Sequence, residues 1–367
     1  MDERRATQKL FNTRATFLKE IMIVGIACNV KPEELKDLGL DEEPPSTGVP
    51  SGDTYAEWDT ASTIRAVASA LKTRHQVEIL VANTDFARKL DRTRVDFVFN
   101  IVEGLKGMFR ESLVPALLEE RGIPYTGSDP LTLALCLDKA RAKQILAYHG
   151  VPTPAFDVVD DASDARRLSH FPMPAILKPL AEGSSKGIYD GNVVNDHAAA
   201  ERKALELLAA YHQPVVTERF LTGREFTLAV LGNPPDRRVL PIVEINFDAL
   251  PKGANPIYSY EAKWIWDTPE KPLRMFTCPA KVDAELKARI EAIVLSALKV
   301  LRVRDWCRVD VRLDDRGEPQ ILELNPLPGI LPDPRENSCL PKAAYAAGMT
   351  YDEIILYVMD AARARYA

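Results

Sequence analysis

The chain has 367 residues, a 27% charged fraction and a formal net charge of −6. That length exceeds one ordinary core and predicts two or three domains of a soluble globular protein. The acidic balance excludes a general nucleic-acid-binding surface, although local basic residues remain free to hold phosphate.

Residues 1–18 are charged and broken, with no apolar run of a signal peptide, and no stretch is long enough to span a membrane. Cys28, Cys136, Cys278, Cys307 and Cys339 are scattered without metal-ligand or redox spacing. Reduced, mostly structural thiols and a cytoplasmic setting are expected, and the dispersed histidines form no zinc pattern. Residues 21–27 read as a buried parallel-type strand. Residues 31–55 are acidic and rich in proline and glycine, a loop or flap. A helix is predicted over about 60–72, with Ile64, Val67, Ala68 and Leu71 on one side. Strands follow at Val77–Leu80 and Phe97–Phe99, then a helix at Leu113–Glu120 ending near Gly122. This alternation predicts an open α/β sheet in the first 120 or so residues.

A helix over 131–149 carries Lys139 and Lys143 on one side, four residues apart. Pro174–Pro179 is a short strand ending in Lys178. An apolar strand that ends in lysine requires a counter-charge, which phosphate would supply; a plain edge lysine is the alternative. Gly183-Ser184-Ser185-Lys186-Gly187 follows, a loop whose N–H groups and hydroxyls suit phosphate oxygens, or else a surface turn. It is neither a Walker A loop nor a Gly-x-Gly-x-x-Gly fingerprint. A helix at about 198–211 and strands at 214–218 and 224–231 come next. Glu218 and Glu225 flank the turn between these strands, placed for hydroxyl or amine hydrogen bonds or simply solvated. A long amphipathic helix spans 281–302, and a last one lies near 351–361.

Between these two helices lies the most informative stretch. Arg308 and Asp310 share one face of a strand, and Glu323 and Asn325 share one face of the next, because strand side chains alternate with period two. Asp314-Asp315-Arg316-Gly317 between them is a hairpin signal. Pairing gathers Asp310, Glu323 and Asn325 into an all-oxygen cluster beside an arginine, which suits Mg²⁺ held against phosphates. Two polar-faced surface strands would alternate in the same way. The rigid Pro326-Leu327-Pro328-Gly329 exit favours a ligand site.

With these residues in place, the chain resembles the ATP-grasp ligases and, within them, the D-alanine–D-alanine ligases. The likeness runs in order from about residue 115 to 350. It includes Gly122–Gly127, Asp138-Lys139, Lys178-Pro179, the Glu182–Gly187 loop, and Glu218 through Glu225. It continues through Tyr260–Lys263, Arg308–Asp310, Glu323–Asn325, Pro328-Gly329, Ser338 and Pro341. The resemblance implies an α/β, α+β multidomain architecture: an open parallel-sheet (pre-ATP-grasp) substrate domain over 19–130, then an ATP-grasp fold of two subdomains. These are a small central one over 131–222 and a C-terminal one over 223–367 with the metal and acyl-transfer site.

By the same resemblance, Lys139, Lys178 and Lys263 contact nucleotide phosphates beneath a loop of Glu182, Ser184 and Ser185. Glu218 and Glu225 address adenine and ribose. Asp310, Glu323 and Asn325 hold two Mg²⁺ ions, with Mn²⁺ as a substitute. Arg308 and the Gly329 backbone stabilise a tetrahedral intermediate, Ser338 binds the second amino acid's carboxylate, and Glu57 anchors the first substrate's ammonium. Glu57 and Ser184 thereby join Arg308 and Gly329 among the implied catalytic groups. The implied activity is ATP-dependent joining of two amino acids through an acyl phosphate. D-Alanyl-D-alanine formation for the cell wall is the first expectation, and ATP and small amino acids are the only partners besides a homodimer copy. A related dipeptide or amide ligase and a non-catalytic nucleotide-binding protein are the alternatives.

The sequence departs from the family pattern in four places. Asn100–Glu111 lacks the usual histidine, and Ala27-Cys28-Asn29 stands in place of a glycine-rich turn. The Gly329–Ser338 loop is longer, with Asp333, Arg335 and Glu336 inside it, and Trp264 stands where a tyrosine commonly meets the lid.

Overall fold

The computed structural model describes residues 21–40, 54–104, 106–267 and 272–367. Expectations about residues 1–18 and about the 41–53 part of the acidic loop fall outside them. Strands β1 (Ile23–Cys28), β2 (Gln76–Val81) and β3 (Phe97–Ile101) form a parallel sheet in the order β2-β1-β3. Val24, Ile26, Phe97 and Phe99 are fully buried, as strands covered on both faces require. Helices α1 (Ala61–Lys72), α2 (Phe86–Arg92) and α3 (Leu113–Arg121) accompany this sheet. Helix α3 stops at Gly122, whose φ of 64° makes it a left-handed cap.

The single helix expected over 131–149 is two, α4 (Pro130–Leu137) and α5 (Lys139–Tyr148). Asp138 divides them: its carboxylate accepts the Arg141 N–H at 2.9 Å and so starts the second helix. The apolar run through Leu133, Cys136 and Leu137 masks that break in the sequence. Lys139 becomes the first residue of α5, and its N–H is tied to Leu180 O at 3.3 Å.

Strands β4 (Phe156–Val159), β5 (Ala175–Pro179), β6 (Val193–Val194) and β7 (Val215–Arg219) form an antiparallel sheet ordered β4-β7-β5-β6. Helix α6 (His197–Tyr211) buries Ala200, Ala204 and Leu207 in a core with this sheet. A larger sheet follows, with β8 (Glu225–Leu231), β9 (Arg238–Val239), β10 (Val243–Ile245), β11 (Phe276–Thr277), β12 (Trp306–Leu313) and β13 (Pro319–Asn325). Its path is β11-β10-β8-β12-β13, with β9 paired to β8. Helix α7 (Ala284–Val300) covers it through Leu286, Ile290 and Val294.

The β12–β13 hairpin turns where the sequence predicts. Gly317 takes a φ of 77° and donates its N–H to Asp314 O at 3.1 Å. Finally, α8 (Cys339–Ala346) and α9 (Tyr351–Ala364) return to the first sheet, where Ile354, Ile355, Val358 and Met359 share a core with Met22, Val24 and Ile26. Among the described residues, no helix is long and apolar enough to cross a membrane.

Candidate active site

A cleft lies between the four-stranded sheet and the large sheet, with about 1830 Å³ of non-atom space counting its open mouth. Its floor is the β12–β13 hairpin. The register pairs Arg308 with Asn325 and Asp310 with Glu323, and a bulge follows Asp310. All four side chains line the cleft, as period two requires. Arg308 grips Asp310 with two bonds, Nε to Oδ1 at 3.1 Å and Nη2 to Oδ2 at 2.9 Å, and its Nη2 lies 3.7 Å from Glu323. Asn325 donates to Asp310 at 3.3 Å and to Glu323 at 3.4 Å. Thr227 on β8 donates to Asp310 at 2.6 Å.

Electrostatics separates the two carboxylates. Burial pushes Asp310 up despite Arg308. At Glu323 burial also pushes upward, but Lys139, Arg308 and Lys178 override it and hold the group at about 2. Arg308 itself is kept firmly charged, because Asp310 outweighs the cost of burying the cation.

The donor set suits a divalent cation. Two carboxylates and an amide offer only oxygen ligands once the Asn325 amide turns its carbonyl inward, which gives up just two long hydrogen bonds. The set therefore fits a hard metal ion. Among the described residues no group of three or more His, Cys, Asp or Glu could hold a metal ion.

The opposite wall carries the lysines. Lys139 donates to Glu182 O and lies 3.8 Å from Glu323. Lys178 does not await a counter-ion: its Nζ lies 3.1 Å from Glu218. Lys143, named in the sequence only as a neighbour of Lys139, completes this buried row. It lies 3.4 Å from Glu218 and donates to Thr153 Oγ1 and Leu322 O, each at 3.0 Å. Burial works against charge on Lys178, but Glu218 prevails and raises it. Glu225, also lining the cleft, accepts from Arg312 at 2.9 Å and is pushed up by burial.

The serine loop closes the cleft from above. Ser184 and Ser185 adopt left-handed φ values of 49° and 61°, a strained conformation for residues with a Cβ. Contacts from across the cleft hold them. Ser185 donates to Tyr258 O at 2.9 Å, Lys263 reaches Ser184 Oγ at 3.3 Å, and the Trp264 indole N–H donates to Ser184 O at 3.3 Å. The indole thus meets the serine loop as a donor. Lys263 sits in a π-helical turn, Ala262–Trp266, and is pushed down to about 8 by burial and then by Arg308. The Cys339 thiol, also on the wall, is pushed up to about 12 by burial and stays protonated at neutral pH.

Two expectations meet a different geometry. Ser338 does not line the cleft; its hydroxyl donates to Gly329 O at 2.7 Å and accepts from Leu331 N–H at 3.3 Å, bracing the loop instead. Gly329 does line the cleft. Glu57, expected to anchor the first substrate's ammonium, is paired with Arg110 at 2.6 Å inside the protein. Sequence reasoning overlooked Arg110, because its partner lies 53 residues away and leaves no local signal.

An antiparallel small sheet closing over a larger sheet, with Lys178 on the first and Asp310 and Glu323 on the second, is the ATP-grasp arrangement. The family model "D-ala D-ala ligase C-terminus" matches residues 145–360. An uncharacterised protein from Sinorhizobium fredii is 35% identical over 73% of this chain and 75% of its own length. A D-alanine--D-alanine ligase from Desulforudis audaxviator is 34% identical over 82% of this chain and 92% of its own length. The crystal structure of D-alanine--D-alanine ligase from Bacillus anthracis superposes with a TM-score of 0.68 at 24% identity, covering 94% of this chain and 98% of that one. The chain belongs to the D-alanine–D-alanine ligase family, and with it to the ATP-dependent ligases.

Proposed function

We propose that the protein joins two D-alanine molecules at the expense of ATP, in the cytoplasm, supplying a building block of cell-wall peptidoglycan. The observation that carries this reading is the β12–β13 register, which sets Arg308, Asp310, Glu323 and Asn325 in one cleft facing Lys139 and Lys178. Family likeness supports a homodimer and the division at residues 130 and 222.

The nucleotide lies between the two sheets. Lys139, Lys178 and Lys263 face its phosphates, Glu225 and Glu218 its ribose and adenine, and Glu182, Ser184 and Ser185 form the cover. Asp310, Glu323 and Asn325 would hold the divalent cations, two Mg²⁺ or Mn²⁺ ions, which neutralise charge on the terminal phosphates when bound. The donor carboxylate attacks the γ-phosphorus, and the bond to the β–γ bridging oxygen breaks. Acyl phosphate and ADP result, with the lysines stabilising the transferring group. The neutral amine of the second amino acid then attacks the acyl carbon. Arg308 and the Gly329 N–H stabilise the tetrahedral oxyanion, and phosphate leaves as the amine proton passes to solvent. Ser338 supports this step by fixing Gly329. The closed lid keeps water from the acyl phosphate.

Purified protein given ATP, Mg²⁺ and D-alanine should release ADP and D-alanyl-D-alanine in equal amounts. Glu323→Gln should lower the turnover rate by roughly 10²–10³-fold, the usual scale for losing one charge-stabilising group. ADP release unchanged by Glu323→Gln, or independent of amino acid, would refute the assignment. A second reading, a family member with a different first substrate, is favoured by one observation: Arg110 and Lys186 both face Glu57. Turnover with another amino acid and none with D-alanine would select it.

A further inference from the structure

The donor end of the cleft holds more carboxylates than its cations balance. Asp59, Glu103 and Glu111 line it together with Glu57. Glu57 is saturated. A carboxylate offers about four lone-pair sites, and three donor groups make four contacts with this one. Oε1 accepts from Arg110 Nη2 at 2.6 Å and from the Gly183 N–H at 2.8 Å; Oε2 accepts from the same guanidinium at 2.9 Å and lies 3.6 Å from Lys186 Nζ. The Glu57 side chain is only 5% exposed. Gly183 seals one side, since a Cβ there would stand 2.4 Å from Oε1. A substrate ammonium at Glu57 would have to compete with a buried guanidinium already bonded to both of its oxygens.

Glu111 is the opposite case. It is 7% exposed and lines the cleft, yet among the described residues no hydrogen bond or ion pair engages its carboxylate. Glu103 lines the same wall and is equally unengaged. The neighbouring cations are committed elsewhere: Arg110 to Glu57 and to Ala181 O at 2.7 Å, Lys139 to Glu182 O and toward Glu323. A buried carboxylate without a partner is costly, and an incoming ammonium would relieve that cost. Consistent with this, burial pushes Glu111 up to about 8, and burial together with Glu111 drives Glu103 well above the carboxylate range.

We propose that Glu111, backed by Glu103, anchors the ammonium of the first amino acid, and that Glu57 is a positioning residue that ties the Gly183 loop to Arg110. This deepens the ligase reading and rests on it. The donor half-reaction tests it without the second amino acid. Hydroxylamine traps the acyl phosphate as a hydroxamate, with D-alanine or propionate, the same skeleton without the ammonium, as the acid.

Wild-type protein should prefer D-alanine in kcat/KM. Glu111→Gln should shrink that preference by roughly 10–100-fold, through KM for D-alanine and not KM for ATP, the scale of one charge-assisted contact. Glu103→Gln should shrink it less. Glu57→Gln should lower activity toward both acids alike. If Glu111→Gln does not fold by circular dichroism, Glu111→Asp should raise KM for D-alanine alone. An unchanged preference in the folded Glu111 and Glu103 variants, or its collapse in Glu57→Gln, overturns the assignment while the ligase reading stands. No hydroxamate from any acid with wild-type protein overturns both.

Discussion

Lys263 shows how one side chain sets the response of the site to pH. Burial and the nearby Arg308 guanidinium hold its free-state value at about 8. Phosphate oxygens favour the ammonium form, so binding raises that value and takes up a proton. Affinity for ATP is then flat below pH 8 and falls as pH rises above it, by about tenfold at one unit above the free value. Calorimetric titrations from pH 7 to 9.5 should trace this fall. Lys263→Arg should remove it, because a guanidinium keeps its charge throughout. Trp264 acts beside it. Losing the indole donor to Ser184 O in Trp264→Phe weakens the lid by about one ordinary hydrogen bond. Intermediate hydrolysis should rise about fivefold relative to wild type, measured as ADP released in excess of dipeptide.

At the scale of elements, the turn between β7 and β8 is confined by its neighbour. A Cβ on Gly223 would stand 2.4 Å from the Leu313 carbonyl oxygen, and Arg312 donates to Gly223 O at 3.2 Å. Backbone cannot give way as a side chain can. Gly223→Ala should cost about 1–3 kcal/mol and lower the thermal midpoint, with weaker ATP binding because Glu225 moves with the turn. The hairpin carrying Arg308 and Asn325 was legible in the sequence, since period-two alternation and a Gly-containing turn are local signals. The break at Asp138 was not, because the apolar pattern runs through it and only a side-chain cap marks it. Strands as short as β10 (Val243–Ile245) carry too few residues for any pattern. The pairing of Glu57 with Arg110 was invisible for another reason: contacts distant in sequence leave no periodic trace. The same holds for Lys178, whose partner proved to be Glu218 on the adjacent strand.

Across the whole molecule, Asp305 is a junction. It is fully buried, pairs with Arg365 at 2.7 Å, accepts the Gly127 N–H at 2.7 Å and accepts from Asn233 at 2.7 Å. It therefore ties the first sheet's outgoing loop, the large sheet and the end of α9 together. Asp305→Ala would strand a largely buried guanidinium and should cost about 3–5 kcal/mol, read as a lowered thermal midpoint. Arg365→Leu in the same background should recover part of the loss, because it removes the stranded charge. The division near residue 130 suggested by the family likeness describes the order of the chain better than its hydrophobic cores, since α8 and α9 complete the core under β1.

That shared core carries a consequence for how the polypeptide is made. Met22, Val24 and Ile26 leave the ribosome more than 300 residues before Ile354, Val358 and Met359, and until those later side chains arrive one face of the newborn sheet stays wet. The middle of the chain, with its own packed interior, can settle during translation, whereas the opening segment must wait for the last. A stalled or prematurely terminated product would display greasy β1 to the cellular proteostasis machinery.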